Sequence, residues 1–337
     1  MTGPAVVGLT LAELLTELSA FEPQLEGEAS VRVLDVEQDS RSVVAGTLFV
    51  ARPGTKTDGL RFVRDAERRG AAAVMVSADA QPPPLGCPVL RVRDLPRALG
   101  AAAEAVHQRP SRSLRLAGIT GTNGKTTVSW LVQRALEDLD VVCGRIGTLG
   151  IEAAGQHQET PLTTPEADTV SRGLAWMRGL GATHAAMEVS SVALATARVE
   201  ALCFQVAAFT NLTRDHLDFH GSFEAYREAK TRLFLELGPE VSVLNQDDEF
   251  GRWLRGRAPG RVITVGSSGE CDIQRADHAF RSSARAAHPS GGASQRRKPA
   301  RGLRRARRLR CRPRTGRGGA LRGRARARAP RALRRLR

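Results

Sequence analysis

Short apolar runs alternate with amphipathic segments along the middle of the chain, and this rhythm is typical of an α/β fold. The runs predict strands at 114–119, 141–146, 184–189, 205–209, 241–244 and 261–265. The segments between them predict helices at 128–136, 169–178, 222–237 and 249–254. Apolar strands that alternate with helices favour a mostly parallel sheet covered on both faces.

The first 112 residues carry a similar pattern on a smaller scale. We expect strands at 31–36, 47–51 and 71–76, and helices at 62–69 and 98–107. Thr10 and Glu13 have the spacing of a capping box, which predicts another helix after Thr10. Arg109-Pro110-Ser111 is predicted to be a linker, so that residues 1–112 and 113–274 form two α/β domains.

A glycine-rich segment joins the first strand of the second domain to its first helix. A strand, a glycine turn and a helix in that order direct backbone N–H groups and the positive end of the helix dipole at an anion. The lysine of this segment would reach the β- and γ-phosphates of a nucleotide, and the hydroxyl after it would hold a magnesium ion. The predicted ATP-binding residues are Gly121, Thr122, Asn123, Gly124, Lys125, Thr126 and Thr127.

Polar groups also follow other predicted strands. Glu188 lies at the end of one strand, and Asp215-His216 follows the next. Thr163-Thr164 stands before Pro165 in a loop, where two adjacent hydroxyls suit an anionic or sugar ligand. Because ligands of open α/β sheets bind beyond the carboxyl ends of the strands, we expect these groups to lie near the glycine-rich segment.

Two polar stretches of the first domain leave their role open. They are the turn Asp39-Ser40-Arg41 and the loop 54–59, which has a glycine at each end and several hydrogen-bond donors. Either stretch could bind a phosphate or a sugar, and either could be a simple turn.

Charge divides the chain into two compositions. The chain has 51 Lys and Arg against 35 Asp and Glu, but residues 275–337 hold 23 of the basic residues and one acid, Asp277. The first 274 residues therefore have 28 basic and 34 acidic residues, as in an ordinary acidic protein. The Arg-rich tail lacks apolar periodicity, so we expect it to be disordered. It is either a nucleic-acid-binding arm or the product of a shifted reading frame in a GC-rich gene, and we favour the second.

The remaining composition favours a cytoplasmic protein. Five cysteines, at 87, 143, 203, 271 and 311, show no metal-ligand spacing. The N-terminus has no features of a targeting segment, and no apolar run approaches the roughly 18 residues of a membrane helix. We therefore expect no membrane association.

Taken in order, the motifs of residues 30–274 resemble the Mur ligase family. The similarity is greatest to its members that add the third residue to UDP-N-acetylmuramoyl-L-alanyl-D-glutamate. Each motif alone is weak, whereas the ordered set is specific. The set is Asp39-Ser40-Arg41, Asp58-Gly59, the segment from Gly121 to Thr127, Gly147-Thr148-Leu149-Gly150, Thr163-Thr164-Pro165, Glu188-Val189-Ser190-Ser191, residues 211–218 and Ala229-Lys230.

The resemblance implies a role for each matching residue. The uridine diphosphate end of the substrate would be held by Ser40, Thr55, Lys56 and Thr57. The muramoyl-dipeptide would be held by Thr163, Thr164, Ser190 and Arg198. Magnesium would lie among Thr126, Glu188 and His216. The catalytic residues would be Lys125, His216 and Lys230, which in this family is modified to carbamyl-lysine and so becomes an anion that can serve near a metal.

The implied reaction belongs to the synthesis of the peptidoglycan precursor, and hence to cell-wall growth and division. The D-glutamyl carboxylate attacks the γ-phosphate of ATP, and the amine of a free amino acid then attacks the acyl phosphate. Diaminopimelate, lysine and ornithine remain open as that amino acid. A folate-type ligase is a further alternative, which Thr163-Thr164-Pro165 and Asp39-Ser40-Arg41 disfavour.

Two departures from the family pattern affect these expectations. Val192 stands where the family commonly has a histidine, so a local contact is lost. Nothing after about residue 275 resembles the family's third domain, which carries the site for the incoming amino acid. We therefore expect a C-terminally disrupted chain with weak or absent ligase activity. A nucleotide-regulated protein that holds nucleic acid non-specifically through its tail is the alternative from another class.

Overall fold

A computed structural model of the protein describes residues 8–54, 58–267 and 270–274. These residues belong to one compact unit, and their strands form three sheets with two, five and nine strands. The α/β prediction with a mostly parallel sheet is confirmed. The division at residue 112 stays a prediction.

The helices and strands have the following bounds. The strands are β1 (Leu9–Thr10), β2 (Gln24–Glu26), β3 (Arg32–Val33), β4 (Asp35–Glu37), β5 (Thr47–Val50), β6 (Ala73–Ser77), β7 (Val89–Val92), β8 (Arg115–Thr120), β9 (Cys143–Gly147), β10 (Gly150–Ala153), β11 (Gln156–Gln158), β12 (His184–Glu188), β13 (Val206–Phe209), β14 (Val241–Asn245), β15 (Arg261–Gly266) and β16 (Ile273–Gln274). The α-helices are α1 (Leu11–Glu17), α2 (Val63–Arg68), α3 (Leu95–Val106), α4 (Pro110–Ser113), α5 (Lys125–Glu137), α6 (Ala167–Gly179), α7 (Ser191–Ala195), α8 (Leu217–His220), α9 (Phe223–Leu235) and α10 (Glu249–Arg255).

The nine-stranded sheet has the order β11-β10-β9-β12-β8-β13-β14-β15-β16. From β9 to β16 the pairs are parallel, whereas β10 and β11 add an antiparallel hairpin at one edge. The central strand β8 ends at Thr120, between β12, which ends at Glu188, and β13. This topology brings the carboxyl ends of three neighbouring strands to one place, where ligands of such sheets bind.

The five-stranded sheet has the order β2-β7-β6-β5-β4, in which only β2 is antiparallel. Its core includes α1 and α3 and extends to Ala167 at the start of α6. The two larger sheets therefore share apolar contacts through α6.

A polar seam reinforces this contact between the five-stranded sheet and α6. Arg172 donates to the carboxylates of Asp35 and Glu37, and Gln38 donates to Asp168. Burial, with the nearby Glu37 carboxylate, raises the pKa of Asp168 to about 7. Buried polar groups need hydrogen-bond partners, and here the partners lie on opposite sides of the contact. These bonds therefore fix the position of α6 against the five-stranded sheet.

Most predicted elements are present, with bounds that shift by a few residues. The expected strand at 31–36 is instead two short strands in different sheets, β3 and β4. The expected linker at 109–111 is wrong: Ser111 lies in the short helix α4 and is fully buried. Its hydroxyl donates to Glu104 and accepts from the Cys203 N–H, so this segment is packed structure. The capping box of Thr10 and Glu13 is confirmed.

Helix α10 packs so closely on the end of β14 that a side chain at Gly251 cannot fit. A Cβ there would lie 1.8 Å from the Asn245 carbonyl oxygen, which is backbone and cannot rotate away. We expect Gly251→Ala to destabilise the protein by about 3 kcal/mol, because overpacking forces the backbone to shift. Thermal unfolding should show a midpoint lowered by roughly 5 °C or more. Gly256→Ala is the control, since nothing lies within 4 Å of a Cβ at that position. Equal midpoints for the two variants would contradict the prediction.

Candidate functional site

The glycine-rich loop between β8 and α5 forms a cradle at the carboxyl end of the central sheet. Gly121 and Gly124 have φ values of +148° and +85°, which residues with side chains rarely adopt. A Cβ at Gly121 would lie 1.9 Å from the Thr210 hydroxyl oxygen, so only glycine fits. The N–H groups of Thr122 and Asn123 donate to the Asn211 carbonyl and side-chain oxygens at 2.8 and 3.0 Å. The segment after β13 therefore holds the loop in place, directly before the first turn of α5.

The side chain of Lys125 folds back over this loop. Its ammonium donates to the carbonyl oxygens of Gly121 and Thr122 at 2.8 and 2.9 Å. Burial lowers the pKa of Lys125, and the carboxylates of Glu188 and Asp215 oppose that effect. A half-buried ammonium beside a helix N-terminus is suited to an anionic ligand such as a phosphate group.

Glu188 is a fully buried carboxylate beside the cradle. The Thr126 hydroxyl donates to its Oε2 at 2.9 Å, and Thr148 donates its N–H to Oε1 at 3.0 Å and its hydroxyl to Oε2 at 3.2 Å. A carboxylate next to a hydroxyl of the phosphate cradle offers the oxygen ligands that Mg²⁺ prefers. This donor set fits the magnesium ion that the sequence predicts.

The loop before α6 contacts both Glu188 and the segment that follows it. The Thr164 hydroxyl donates to the Glu188 carbonyl at 2.9 Å and accepts from the Ser190 N–H at 3.0 Å. The Arg198 guanidinium donates to the Thr164 carbonyl at 3.0 Å and pairs with Glu166 at 2.8 Å. Three of the four residues predicted to hold the muramoyl-dipeptide, Thr164, Ser190 and Arg198, therefore form one contiguous cluster next to Glu188.

Arg52 joins this cluster from the five-stranded sheet. Its guanidinium lies 3.0 Å from Glu166, so one carboxylate is held between the two arginines Arg52 and Arg198. Arg198 is largely buried, which lowers its pKa, and its Nε atom has no hydrogen-bond partner among the described residues. Arg52 and Arg198 therefore bring two cations, with the Glu166 carboxylate between them, next to the predicted substrate-binding hydroxyls.

His216 is half exposed and has a left-handed backbone conformation with φ 50°. Its Nε2 lies 3.6 Å from an oxygen of Asp215, and its ring centroid is 6.3 Å from that of Tyr226. Within the described part of the chain, no cluster of three or more His, Cys, Asp and Glu residues is placed to hold a metal. The magnesium set of Thr126, Glu188 and His216 therefore stays a prediction, with Thr126 and Glu188 in direct contact.

Lys230 of α9 also contacts the cradle. Its side chain is 1 % exposed, and its ammonium donates to the same Gly121 carbonyl as Lys125, at 2.9 Å. Burial, and then the nearby Lys125 ammonium, lower the pKa of Lys230 to about 7, and Asp215 opposes them. A lysine that loses its proton near neutral pH has a free nucleophilic lone pair, which addition of carbon dioxide requires.

We expect the predicted carbamylation of Lys230 to depend on pH, because the lowered pKa sets the pH at which the amine becomes neutral. Because the pKa is about 7 instead of 10.5, the neutral amine becomes the major form as the pH rises through 7. Carbon-13 NMR with labelled bicarbonate should show a carbamate signal that is weak at pH 6 and strong at pH 8. The signal should be lost in Lys230→Met, which keeps the length of the side chain. A signal that persists in that variant would contradict the assignment to Lys230.

Other predicted residues lie away from this cluster or outside the described chain. Ser40 is buried near Asp65, whose pKa is lowered mainly by the hydrogen bond from Arg69 and less by Ser40. Thr55, Lys56 and Thr57 lie outside the described residues, and so does the Arg-rich tail with its nucleic-acid and disorder predictions. Among the described residues, no helix is long and apolar enough to cross a membrane.

Sequence reasoning missed three contributors to the site. Arg52 and Glu166 carry no motif, and only the fold brings them to Arg198. Tyr226 contacts the Thr122 hydroxyl at 2.9 Å, and Lys230 lies over its ring at 4.7 Å. Its position four residues before Lys230, and thus on the same face of a helix, was the available signal.

Comparison with known proteins identifies relatives of this chain. Residues 119–297 match the model of the Mur ligase middle domain, and residues 34–107 match that of the Mur ligase family catalytic domain. The UDP-N-acetylmuramoyl-L-alanyl-D-glutamate–2,6-diaminopimelate ligase of Pseudomonas aeruginosa is 46 % identical over 241 residues, which are 71 % of this chain and 49 % of the relative. The ligase of the same name from Solibacter usitatus is 42 % identical over 269 residues, 79 % of this chain and 54 % of the relative.

A solved structure shows the same relationship in three dimensions. A structure of a ligase with that name aligns with a TM-score of 0.66 and 26 % identity, over 79 % of this chain and 54 % of the other. The chain thus spans about half the length of the curated relatives that it matches.

Proposed function

This chain belongs to the Mur ligase family, and from that premise we propose that it carries the ATP- and UDP-muramoyl-peptide-binding part of a ligase of peptidoglycan precursor synthesis. The enzyme adds the third amino acid to UDP-N-acetylmuramoyl-L-alanyl-D-glutamate. The observation that carries the proposal is the cluster in which the phosphate cradle, the buried Glu188 and the Thr164–Ser190 contact adjoin one another. The names of its relatives favour diaminopimelate as the incoming amino acid.

The nucleotide half of the site would bind ATP through the cradle from Gly121 to Thr127. Lys125 would exchange its hydrogen bonds to the loop carbonyls for ion pairs with the terminal phosphates of ATP. Hydrogen bonds between charged groups are stronger than those to neutral carbonyls. Magnesium would be held by the Thr126 hydroxyl, Glu188 and His216, and would supply charge neutralisation at the phosphates.

The substrate half of the site would hold the muramoyl-dipeptide directly at Thr163, Ser190 and Arg198, and the buried Thr164 would fix the loop that carries Thr163. Ser40 and the segment from Thr55 to Thr57 would hold the uridine diphosphate end. The Glu166 carboxylate lies between Arg52 and Arg198 and would orient both guanidinium groups. The arginines could then bind an anionic group of the substrate.

The chemistry follows from bringing the two halves together. The D-glutamyl carboxylate attacks the γ-phosphorus of ATP, the bond to the β-γ bridging oxygen breaks, and an acyl phosphate and ADP form. The amine of the third amino acid then attacks the acyl carbon, and phosphate leaves. Lys125 would offset the negative charge on the transferring phosphoryl group, and the carbamylated form of Lys230 would place a fixed anion beside the cradle.

Trapping the acyl phosphate tests this proposal without the incoming amino acid. Hydroxylamine added with ATP, magnesium and UDP-N-acetylmuramoyl-L-alanyl-D-glutamate should yield the hydroxamate of the D-glutamyl carboxyl, detected by mass spectrometry. UDP-N-acetylmuramoyl-L-alanine, which lacks that residue, is the control and should yield none. Absence of hydroxamate from the full substrate, with ATP binding intact, would contradict the proposed chemistry for this chain.

A further inference from the structure

The turn between β9 and β10 holds the buried carboxylate of Glu188 in place. Among the described residues, three groups donate to this carboxylate, and Thr148 in this turn supplies two of them, the N–H at 3.0 Å and the hydroxyl at 3.2 Å. The turn can approach so closely because Gly147 precedes it: a Cβ there would lie 2.0 Å from the Glu188 Oε1. The turn is therefore built around the carboxylate.

The Thr148 hydroxyl also reaches Thr163, and elementary hydrogen-bond counting fixes the direction of that contact. The two hydroxyl oxygens are 3.1 Å apart. A threonine hydroxyl has one proton, and Thr148 gives its proton to Glu188, which as a carboxylate can only accept. In the contact with Thr163, Thr148 therefore accepts and Thr163 donates.

This direction decides what Thr163 can offer a ligand. Its only hydroxyl proton is donated to Thr148, so both of its lone pairs can accept hydrogen bonds, and its side chain is partly exposed. A carboxylate or phosphate oxygen would find no donor there. An N–H group of the ligand would find an acceptor.

The neighbouring Thr164 has a different task. It is 1 % exposed, and its hydroxyl donates to the Glu188 carbonyl and accepts from the Ser190 N–H. The Thr164 hydroxyl proton is therefore used in a hydrogen bond within the protein, and the two bonds of this hydroxyl link the loop to the backbone around Glu188. Of the two adjacent hydroxyls, Thr163 is the one placed to meet a ligand.

From these contacts we propose that Thr148 is a positioning residue that orients Thr163 as a hydrogen-bond acceptor for a peptide N–H of the muramoyl-dipeptide. The proposal rests on the proposed function and goes beyond it by naming the group that is recognised. The chain of donors runs from the ligand N–H to Thr163, from Thr163 to Thr148, and from Thr148 to Glu188. Peptide recognition and the candidate magnesium carboxylate are thereby coupled through one hydroxyl.

A set of threonine variants in the full chain tests the proposal by calorimetry. Thr163→Val should weaken the binding of UDP-N-acetylmuramoyl-L-alanyl-D-glutamate about fivefold to tenfold, the effect of one lost hydrogen bond. It should not change the binding of UDP-N-acetylmuramic acid, which has no peptide. Thr148→Val should weaken dipeptide binding about threefold to fivefold, because Thr163 is then free to rotate, and Thr148→Ser should restore it.

The double variant distinguishes positioning from a separate contact. Because Thr148 acts through Thr163, the double variant should bind no more weakly than Thr163→Val alone. Thr183→Val is the matched control, since that hydroxyl contacts His184 at the opposite end of β12 and should not affect binding.

The outcomes separate the two levels of inference. If the unaltered protein binds neither UDP compound, the proposed function fails and this inference fails with it. The positioning role is wrong if the unaltered protein binds both UDP compounds and Thr148→Val binds the dipeptide compound with the same affinity. It is also wrong if the losses of affinity caused by the Thr148 and Thr163 substitutions add in the double variant. Equal losses for both UDP compounds in Thr163→Val would show that the recognised group is not in the peptide.

Discussion

Replacing Lys125 with methionine should weaken the binding of Mg-ATP by about 100-fold or more, the largest effect expected of any single change in the cradle. The Lys125 ammonium is half-buried over the loop and donates to the Gly121 and Thr122 carbonyls. The second ammonium that contacts this loop, that of Lys230, is more deeply buried. Methionine keeps the volume and removes the charge. Isothermal calorimetry measures the change directly.

Arg134→Met is the control for that experiment. Arg134 lies on the same helix, α5, but its guanidinium is exposed, pairs with Glu137 and lies over Trp130. The variant removes one positive charge from the same helix without touching the cradle, so Mg-ATP affinity should stay within about twofold. Similar losses in both variants would mean that net charge, and not the contact of Lys125 with phosphate, governs binding.

The second large effect is expected for Glu188→Gln. The amide has the size of the carboxylate but no charge, so it is a poor magnesium ligand. We expect the magnesium concentration that gives half-maximal ATP binding to rise by about 100-fold. This is the upper end of the losses in metal affinity that mutations around metal sites cause. The Glu188 carboxylate also raises the pKa of Lys125, so its loss should lower that pKa further.

Glu104→Gln provides the matched control for the magnesium titration. Glu104 is also a buried carboxyl, but it bonds to Ser111 and Ser171 away from the cradle. Its pKa is raised by burial. The magnesium requirement of this variant should equal that of the unaltered protein. If Glu188→Gln also leaves the requirement unchanged, Glu188 is not a magnesium ligand.

The sequence predicted the fold where local patterns suffice. Apolar strands such as β8, β12 and β13 and the amphipathic helices between them were found because burial on both faces leaves a continuous apolar run. The hairpin of β10 and β11 was missed, since β11 is exposed and polar along its whole length. The packed segment around Ser111 was also missed, because its partners Glu104 and Cys203 are assembled by the fold.

The candidate site divides in the same way. The phosphate cradle is contiguous in sequence, so its glycines, lysine and hydroxyls can be identified from the sequence alone. The Glu166 carboxylate between Arg52 and Arg198 joins residues more than a hundred positions apart, and no spacing rule reveals it. The direction of the Thr163–Thr148–Glu188 chain depends on which atoms meet, which only coordinates supply.

The central claim is that this chain holds Mg-ATP and a muramoyl peptide side by side in one cleft. Calorimetric titration of the full chain with Mg-ATP and with UDP-N-acetylmuramoyl-L-alanyl-D-glutamate tests it most directly. We expect saturable binding of each compound, ATP binding that requires magnesium, and weaker binding of UDP-N-acetylmuramoyl-L-alanine, which lacks the reacting carboxyl. Folded protein that takes up neither compound in the presence of magnesium would contradict the claim.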